Sequence, residues 1–219
     1  MIEAVVFDLD GVLVDSEPVW EQVRRELVAE RGGHWAPAAQ RRLMGMSTPE
    51  WAAYLSRDLG VGLPPDQVAT LVIDRMTARY AEHVPLMDGA ADAVYRIAAR
   101  WPLGVASSSP PRLIETVLRS AGLRPCFSVV LSTEQVARGK PAPDIYLAVA
   151  AALGFPPGDC AAVEDSANGL RSAAAAGLRV IAIPQSRYPP APDALARASL
   201  VLPGLAGLTV DAVAALATS

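Results

Sequence analysis

Short apolar runs alternate with longer helical segments along this chain, and that alternation restricts its fold more than any other feature. The first run, residues 4–7, is rich in β-branched side chains and ends at Asp8. Such a run is typical of a strand that is buried on both faces of a sheet. Comparable runs follow at residues 103–106, 128–131, 161–163 and 180–183. The pattern predicts an α/β fold with a doubly wound, Rossmann-like parallel sheet covered by helices.

Proline, serine and glycine mark the ends of the helical segments between these runs. The predicted segments begin at Pro110-Pro111, Pro143 and Ser166 and stop at Gly122, Gly154 and Gly177. Proline suits the first turn of a helix because its φ is already helical, and glycine suits the position after the end because it accepts a left-handed conformation. These segments are therefore expected to connect the strands.

Residues 17–83 interrupt the alternation, since they hold no convincing strand and several amphipathic helical patterns. Apolar side chains recur there at a spacing of four, which is typical of one buried helix face. Ser47 or Thr48 is expected to cap one of these helices. We predict two domains, a core of residues 1–16 and 84–219 and a helical domain of residues 17–83.

Composition and charge exclude several classes of partner. The 219 residues carry 19 basic and 23 acidic side chains, a net charge of −4, without a basic run, so neither nucleic acid nor an anionic membrane is expected to bind. No apolar stretch is long enough to span a bilayer, and acidic residues near the N-terminus argue against a secretory signal. We expect a cytoplasmic protein that is a monomer.

Lys140 stands out because the other 18 of the 19 basic residues are arginines. A GC-rich genome could produce this bias without a functional cause, and a lone lysine is more often a solvated surface residue. However, a planar guanidinium cannot replace a compact ammonium group in a tight site. The retention of one lysine makes Lys140 a candidate functional residue before any motif is considered.

Polar and charged side chains follow the predicted strands at their carboxyl ends, where open α/β sheets bind ligands. They are Asp8 and Asp10 after the first strand, Ser107 after the second, Lys140 before the fourth, and Glu164 and Asp165 at its end. Several acids at one edge repel one another, and hard oxygen ligands without histidine or cysteine favour Mg²⁺ as the counter-charge. A cation beside a lysine and a serine hydroxyl suits a phosphoryl group. Taken singly, the two aspartates could instead form a turn and a helix cap.

Four short segments resemble the motifs of the haloacid dehalogenase-like superfamily. The stretch Phe7-Asp8-Leu9-Asp10-Gly11-Val12-Leu13-Val14-Asp15-Ser16 resembles the first motif. The later motifs are similar, in the same order, to Ser107, Lys140-Pro141 and Glu164-Asp165-Ser166. The resemblance covers the whole chain and implies that residues 17–83 form a helical cap domain inserted after the first motif.

The resemblance implies roles for the residues at this edge. Asp8 would be the nucleophile that forms an aspartyl-phosphate, and Asp10 would serve as general acid and then as general base. Ser107 would donate to a phosphoryl oxygen, and Lys140 would neutralise charge between the phosphate and Asp8.

The resemblance also implies a metal site and a substrate site. Mg²⁺ would be held by the side chains of Asp8 and Asp165 and the backbone carbonyl of Asp10, with Glu164 in or just outside the coordination sphere. A loop at residues 43–48 would face the active site and determine which substrate fits. The implied substrate-binding residues are Gly11, Ser108, Gly45, Met46 and Thr48.

Particular residues separate the branches of this superfamily. A phosphonatase needs a second lysine in the cap for a Schiff base, and this chain has none. A dehalogenase does not need Asp10. A β-phosphoglucomutase-like enzyme remains an alternative, although this chain has Thr48 and Trp20 where such mutases usually carry an arginine and a histidine.

The segment from Asp15 to Trp20 looks like that of the phosphatases that act on sugar and polyol phosphates. We therefore predict a Mg²⁺-dependent phosphatase of a small phosphorylated metabolite. An alternative from another class is a catalytically idle binding or regulatory module on the same fold, which would be expected to have lost Asp8, Asp10 or Lys140.

Overall fold

The structure, a computed structural model, describes residues 1–43 and 46–216. The chain divides into two compact units, residues 1–15 with 84–219 and residues 16–83, which we call the core unit and the helical unit. The boundary between them lies one residue before the predicted domain boundary, so that Ser16 belongs to the helical unit.

The core unit contains one six-stranded sheet. Its strands are β1 Ala4–Phe7, β2 Leu103–Ser107, β3 Phe127–Ser132, β4 Cys160–Glu164, β5 Arg179–Ala182 and β6 Leu200–Val201. They lie in the order β3-β2-β1-β4-β5-β6, and every pairing is parallel. The order reverses between β1 and β4, which is the place where doubly wound sheets bind ligands. The predicted Rossmann-like fold is confirmed.

The central strand β1 positions the residues that follow it. All four of its side chains are fully buried, as its apolar sequence predicts. Phe7 at its end lies in register with Val105 of β2 and Val163 of β4. Residues just beyond these three strands therefore emerge side by side at one edge of the sheet.

In the part of the helical unit that the structure describes there are four helices, α1 Glu17–Glu30, α2 Ala39–Leu43, α3 Thr48–Arg57 and α4 Pro65–Glu82. Val23 and Leu27 of α1 are buried, in keeping with their predicted spacing of four. Ser47 precedes α3 and donates to the Glu50 carboxylate through its backbone N–H at 2.8 Å and its hydroxyl at 2.6 Å. Ser47 is therefore the capping residue of the two that the sequence allowed.

The remaining helices lie in the core unit as α5 Ala90–Ala98, α6 Pro111–Ser120, α7 Asp144–Leu153, α8 Ala167–Ala175, α9 Pro192–Leu195 and α10 Val210–Ala215. Helices α6 to α8 connect the strands within the segments predicted from proline, serine and glycine. Gly154 ends α7 with a left-handed φ of 87°, and the Ser166 hydroxyl caps α8 by accepting from the Gly169 N–H at 3.0 Å. Among the described residues, no helix is both long and apolar enough to cross a membrane.

Several elements are not among the predicted segments. Strand β6 has two residues, too few to show the period of a strand. Helices α5, α9 and α10 lie outside the three segments that the sequence predicts to be helices between the strands. None of them contributes a residue to the edge where β1 and β4 end.

Candidate active site

The first strand leads into a tight turn at the carboxyl edge of the sheet. The Asp8 N–H donates to the Val163 carbonyl at 2.9 Å, which continues the β1–β4 pairing by one residue. Gly11 has a φ of 81°, a conformation that favours glycine. A Cβ at Gly11 would also overlap the Asp165 carboxylate. The turn after β1 therefore packs directly against the acid that follows β4.

Lys140 joins the ends of β1 and β4 through two ion pairs. Its Nζ donates to Asp8 Oδ1 at 2.8 Å and to Glu164 Oε1 at 2.6 Å. The side chains of Lys140, Asp8 and Glu164 are only 6%, 8% and 0% exposed. Burial alone would lower the pKa of Lys140, but the charges of Asp8 and Glu164 outweigh it and raise that pKa above its usual value. The two carboxylates therefore favour the charged ammonium form of Lys140 beside Asp8.

Both oxygens of Glu164 are occupied by donors of the chain. Oε1 accepts from Lys140 and, at 2.7 Å, from the hydroxyl of Tyr146. Oε2 accepts from the N–H of Asp165 at 3.1 Å and from the N–H and hydroxyl of Ser166 at 3.3 and 3.2 Å. A carboxylate filled in this way is better suited to orient Lys140 than to ligate a metal ion.

Asp8, Glu164 and Asp165 form an acidic cluster in which one carboxylate oxygen of each residue lies within 4.8 Å of those of the other two. Burial raises the pKa of Asp8 to about 8, with Lys140 opposing the shift and the charges of Glu164 and Asp10 adding to it. Burial and the charges of Glu164 and Asp8 likewise raise the pKa of Asp165. Asp165 Oδ1 is buried and has no hydrogen-bond partner among the described residues. A divalent cation fits this cluster, because it would bind the unpartnered Asp165 Oδ1 and favour the ionised forms of the carboxylates.

Ser107, the last residue of β2, and Ser109 just beyond it hold the side chain of Asp10. The hydroxyl of Ser109 donates to Asp10 Oδ2 at 2.8 Å, and the hydroxyl of Ser107 donates to the same oxygen at 3.3 Å. The Ser109 N–H donates to the Ser107 hydroxyl at 3.0 Å. Ser107 and Ser109 are buried, whereas Ser108 between them is exposed. These hydrogen bonds fix the orientation of the Asp10 carboxylate.

The structure brings most of the predicted site residues to one edge of the core unit. These are Asp8, Asp10, Gly11, Ser107, Ser108, Lys140, Glu164 and Asp165. Met46 and Thr48 are half-buried residues of the helical unit, and Thr48 begins α3. Gly45 lies outside the described residues. The roles of all these side chains stay predictions.

Three further residues of this site are absent from the sequence prediction. Ser109 could have been found from Ser107, because alternate residues of an extended segment point to the same side. Gly169 could have been suspected because glycine weakens a helix, and here a Cβ would overlap the Glu164 carboxyl group. Tyr146 carries no local signal, since its hydroxyl partner lies 18 residues away.

Comparison with known proteins identifies the family. The chain matches the model of the haloacid dehalogenase-like hydrolases over residues 2–177 of its 219. It belongs to this family. The superfamily and the enzyme class predicted from the sequence, a phosphoric monoester hydrolase, are confirmed.

Individual relatives cover most of the chain. Hexitol phosphatase B of Escherichia coli K12 is 35% identical over 189 residues, which are 84% of this chain and 84% of the relative. The crystal structure of CbbY from Rhodobacter sphaeroides with phosphate has a TM-score of 0.83 and 32% identity, and covers 95% of this chain and 96% of that one. A CbbY variant with xylulose 1,5-bisphosphate has the same TM-score and identity, and covers 94% and 96%.

Proposed function

We propose that the protein is a Mg²⁺-dependent phosphatase that hydrolyses a small phosphorylated sugar or polyol through a phosphorylated aspartate. The observation that supports this most strongly is the buried pair of Asp8 and Lys140, 2.8 Å apart, beside the orphaned carboxylate oxygen of Asp165. A nucleophile, a fixed positive charge and a cation ligand then lie at one edge of the sheet. These are the groups that phosphoryl transfer to a carboxylate requires.

In the first step, a carboxylate oxygen of Asp8 attacks the phosphorus atom of the ester. A bond forms between that oxygen and phosphorus, the bond from phosphorus to the sugar oxygen breaks, and Asp10 gives its proton to the departing oxygen. Lys140 neutralises the negative charge shared by Asp8 and the phosphoryl oxygens, and Ser107 donates a hydrogen bond to one of these oxygens. The dephosphorylated sugar or polyol leaves as an alcohol.

In the second step, water removes the phosphoryl group from Asp8. Asp10, now a carboxylate, takes a proton from the water molecule as the water oxygen attacks phosphorus. The bond between phosphorus and Asp8 breaks, which releases inorganic phosphate and restores both aspartates to their starting states. The hydrogen bond from Ser109 to Asp10, 2.8 Å long, keeps the base oriented between the two steps.

The metal would be held by the side chains of Asp8 and Asp165 and by the backbone carbonyl of Asp10. The unpartnered Asp165 Oδ1 and the raised pKa of Asp8 support this set of ligands. When bound, the ion supplies positive charge that keeps the nucleophile ionised and offsets the charge of the phosphoryl group. Glu164 would stay outside the coordination sphere, where it holds Lys140.

The helical unit, as the cap domain, would determine which phosphate ester reacts. Met46 and Thr48, together with Gly45, would contact the sugar or polyol, while Gly11 and Ser108 would bind near its phosphoryl group. The names of the relatives support this substrate class, since one is a hexitol phosphatase and another holds a sugar bisphosphate.

A screen of phosphate esters with the purified protein and Mg²⁺ tests this function. Release of inorganic phosphate is measured from hexitol, hexose and pentose phosphates and from sugar bisphosphates, with nucleotides for contrast. The highest kcat/KM is expected for a sugar or polyol phosphate, at about 10⁴ M⁻¹s⁻¹ or above, and Asp8→Asn should abolish the release. No release from any ester, or a preference for a nucleotide, would refute the proposal.

Two alternatives give different results in the same screen. A mutase would convert β-glucose 1-phosphate to glucose 6-phosphate without net phosphate release. An idle module would bind esters and turn over none of them, but Asp8, Asp10 and Lys140 are all present. The prediction of a monomeric, cytoplasmic enzyme is checked separately, by light scattering after gel filtration and by cell fractionation.

A further inference from the structure

One buried hydroxyl at this site has no part in the two steps above. Tyr146 of α7 is fully buried, and its hydroxyl donates to Glu164 Oε1 at 2.7 Å. The same oxygen accepts from Lys140 at 2.6 Å. The Lys140 Nζ also lies 5.1 Å from the centre of the Tyr146 ring, within reach of a cation–π interaction. One side chain therefore contacts both the lysine and the carboxylate that holds it.

The remainder of Tyr146 does not require a hydroxyl. Its ring belongs to an apolar cluster that includes Val149 of α7, Leu170 of α8 and Ala162 of β4. Phenylalanine would fill such a place equally well, and a hydroxyl among apolar groups is unfavourable without a partner. The hydroxyl is therefore explained by Glu164 and not by packing.

The orientation of Glu164 determines where Lys140 lies. An ammonium group has three N–H donors, and two of those of Lys140 go to Asp8 and Glu164. Oε2 of Glu164 is fixed by donors at the start of α8, including the Ser166 hydroxyl. The Tyr146 hydroxyl is the corresponding constraint on Oε1. Without it, the carboxylate can turn and the ammonium group can shift relative to Asp8.

We propose that Tyr146 is a positioning residue whose hydroxyl fixes Glu164 Oε1 and thereby aligns Lys140 with Asp8 for phosphoryl transfer. This inference rests on the proposed phosphatase function. Because Tyr146 acts through Glu164 and does not touch the reacting atoms, its hydroxyl affects the rate of the chemical step more than the binding of substrate.

The variant Tyr146→Phe tests this most cleanly, because it keeps the ring and removes only the hydroxyl. With p-nitrophenyl phosphate and Mg²⁺, kcat falls about tenfold, while KM stays within about twofold of the wild-type value. Val149→Ala is the matched control, since Val149 lies on the same helix and in the same apolar cluster but has no polar group. It lowers Tm at least as much as Tyr146→Phe does and leaves kcat close to that of the wild type.

A double-mutant cycle tests whether Tyr146 acts through Glu164. In a Glu164→Gln background, Tyr146→Phe causes a smaller further loss of kcat than in the wild type, because the negative charge through which it holds Lys140 is gone. If the fold-losses in kcat of the two single variants multiply in the double variant, the two residues act independently and the proposal is overturned. If Glu164→Gln does not fold, the separate effects on kcat and KM of Tyr146→Phe, beside Val149→Ala, decide the question.

The outcomes separate this inference from the function on which it rests. Suppose the wild-type enzyme is active, but the Tyr146→Phe variant keeps kcat within about twofold or changes only in KM. That result would refute the positioning role alone. A kcat loss in Val149→Ala equal to that in Tyr146→Phe would also refute it, because packing would then explain both. A wild-type enzyme inactive on every phosphate ester would refute the phosphatase function and this inference with it.

Discussion

The Nζ atom of Lys140 lies 2.8 Å from Oδ1 of Asp8, although 132 residues separate the two along the chain. Lys140 is the only lysine of the sequence, and Asp8 is the residue that directly follows the first strand. Because both side chains are almost completely buried, water and salt screen their attraction only weakly. This contact gives a structural reason for one ammonium group in a chain that otherwise uses arginine.

Lys140→Arg is expected to cost about 2.7–4 kcal/mol of transition-state stabilisation, or roughly 10²–10³-fold in kcat/KM. A guanidinium is larger and more diffuse than an ammonium group, so it cannot contact Asp8, Glu164 and a phosphoryl oxygen within one narrow site. Steady-state kinetics on a sugar phosphate and thermal melting measure the effect. The control is Arg138→Lys, an exchange of the opposite kind at an exposed position, which should change kcat/KM little. Near wild-type activity in Lys140→Arg would mean that the lone lysine is an accident of composition.

The affinity for Mg²⁺ is expected to rise with pH up to about pH 8. The pKa of Asp8 is raised in the folded protein from 3.8 to about 8. The proton on Asp8 therefore stabilises the folded protein. This stabilisation is fully present at pH values below the pKa in the unfolded chain and is lost as the pH rises toward 8. A cation must displace that proton below pH 8, which weakens apparent binding by roughly tenfold per pH unit. The increase of Tm caused by a fixed, subsaturating Mg²⁺ concentration should therefore be larger at pH 8 than at pH 6.

The variant Asp8→Asn is the control for this pH dependence. It removes the proton of Asp8, so the difference between the Mg²⁺-induced Tm shifts at pH 6 and pH 8 should become smaller, and what remains is due to Asp165, whose pKa burial also raises. If the wild-type protein shows equal Mg²⁺-induced shifts at both pH values, Asp8 is not the group that links proton and metal binding.

Gly169→Ala is expected to destabilise the protein, although alanine normally favours a helix. A Cβ at this position would overlap the Glu164 carboxyl group, and such overpacking costs about 1–3 kcal/mol. The free energy of unfolding in urea measures the loss. Gly158→Ala is the matched control, because a Cβ there meets no atom within 4 Å. Equal stability of the two variants would show that Glu164 can move aside without cost.

The sequence allowed the central part of the fold to be predicted because buried parallel strands leave a strong local pattern. Strand β1 and the helices that end at Gly154 and Gly177 were predicted from apolar runs and from glycines that accept positive φ. The two-residue strand β6 could not be, since its pairing with β5 depends on tertiary contacts rather than on any local period.

Within the candidate site, the sequence predicted those residues that lie at the ends of strands or within the recognised motifs. Asp8, Asp10 and Lys140 follow from their places in the sequence. The contact of Tyr146 with Glu164 does not, because it depends on how α7 packs on the sheet and joins residues far apart in the chain. The sequence also left open whether Glu164 ligates the metal, since that depends on how many donors already occupy its oxygens.

Thr48→Ala is expected to change the order of substrates by kcat/KM and to leave hydrolysis of p-nitrophenyl phosphate within about threefold of the wild type. The resemblance implies that this residue contacts the sugar or polyol rather than the phosphoryl group. Kinetics on a set of hexitol and sugar phosphates measure the change. Thr70→Ala, at an exposed position of α4, serves as the control. Equal losses on every substrate would show that Thr48 supports only the folding of the helical unit.

The location of the phosphoryl group after acid quenching tests the central claim most directly. The enzyme is mixed with substrate and Mg²⁺, stopped in acid and analysed by peptide mass spectrometry. We expect a phosphorylated Asp8 in the wild type and none in Asp8→Asn. Asp10→Asn should turn over about 10²–10⁴-fold more slowly, because it can neither protonate the leaving oxygen nor activate water. A phosphoryl group on any other residue, or sustained turnover by Asp8→Asn, would contradict the proposed mechanism.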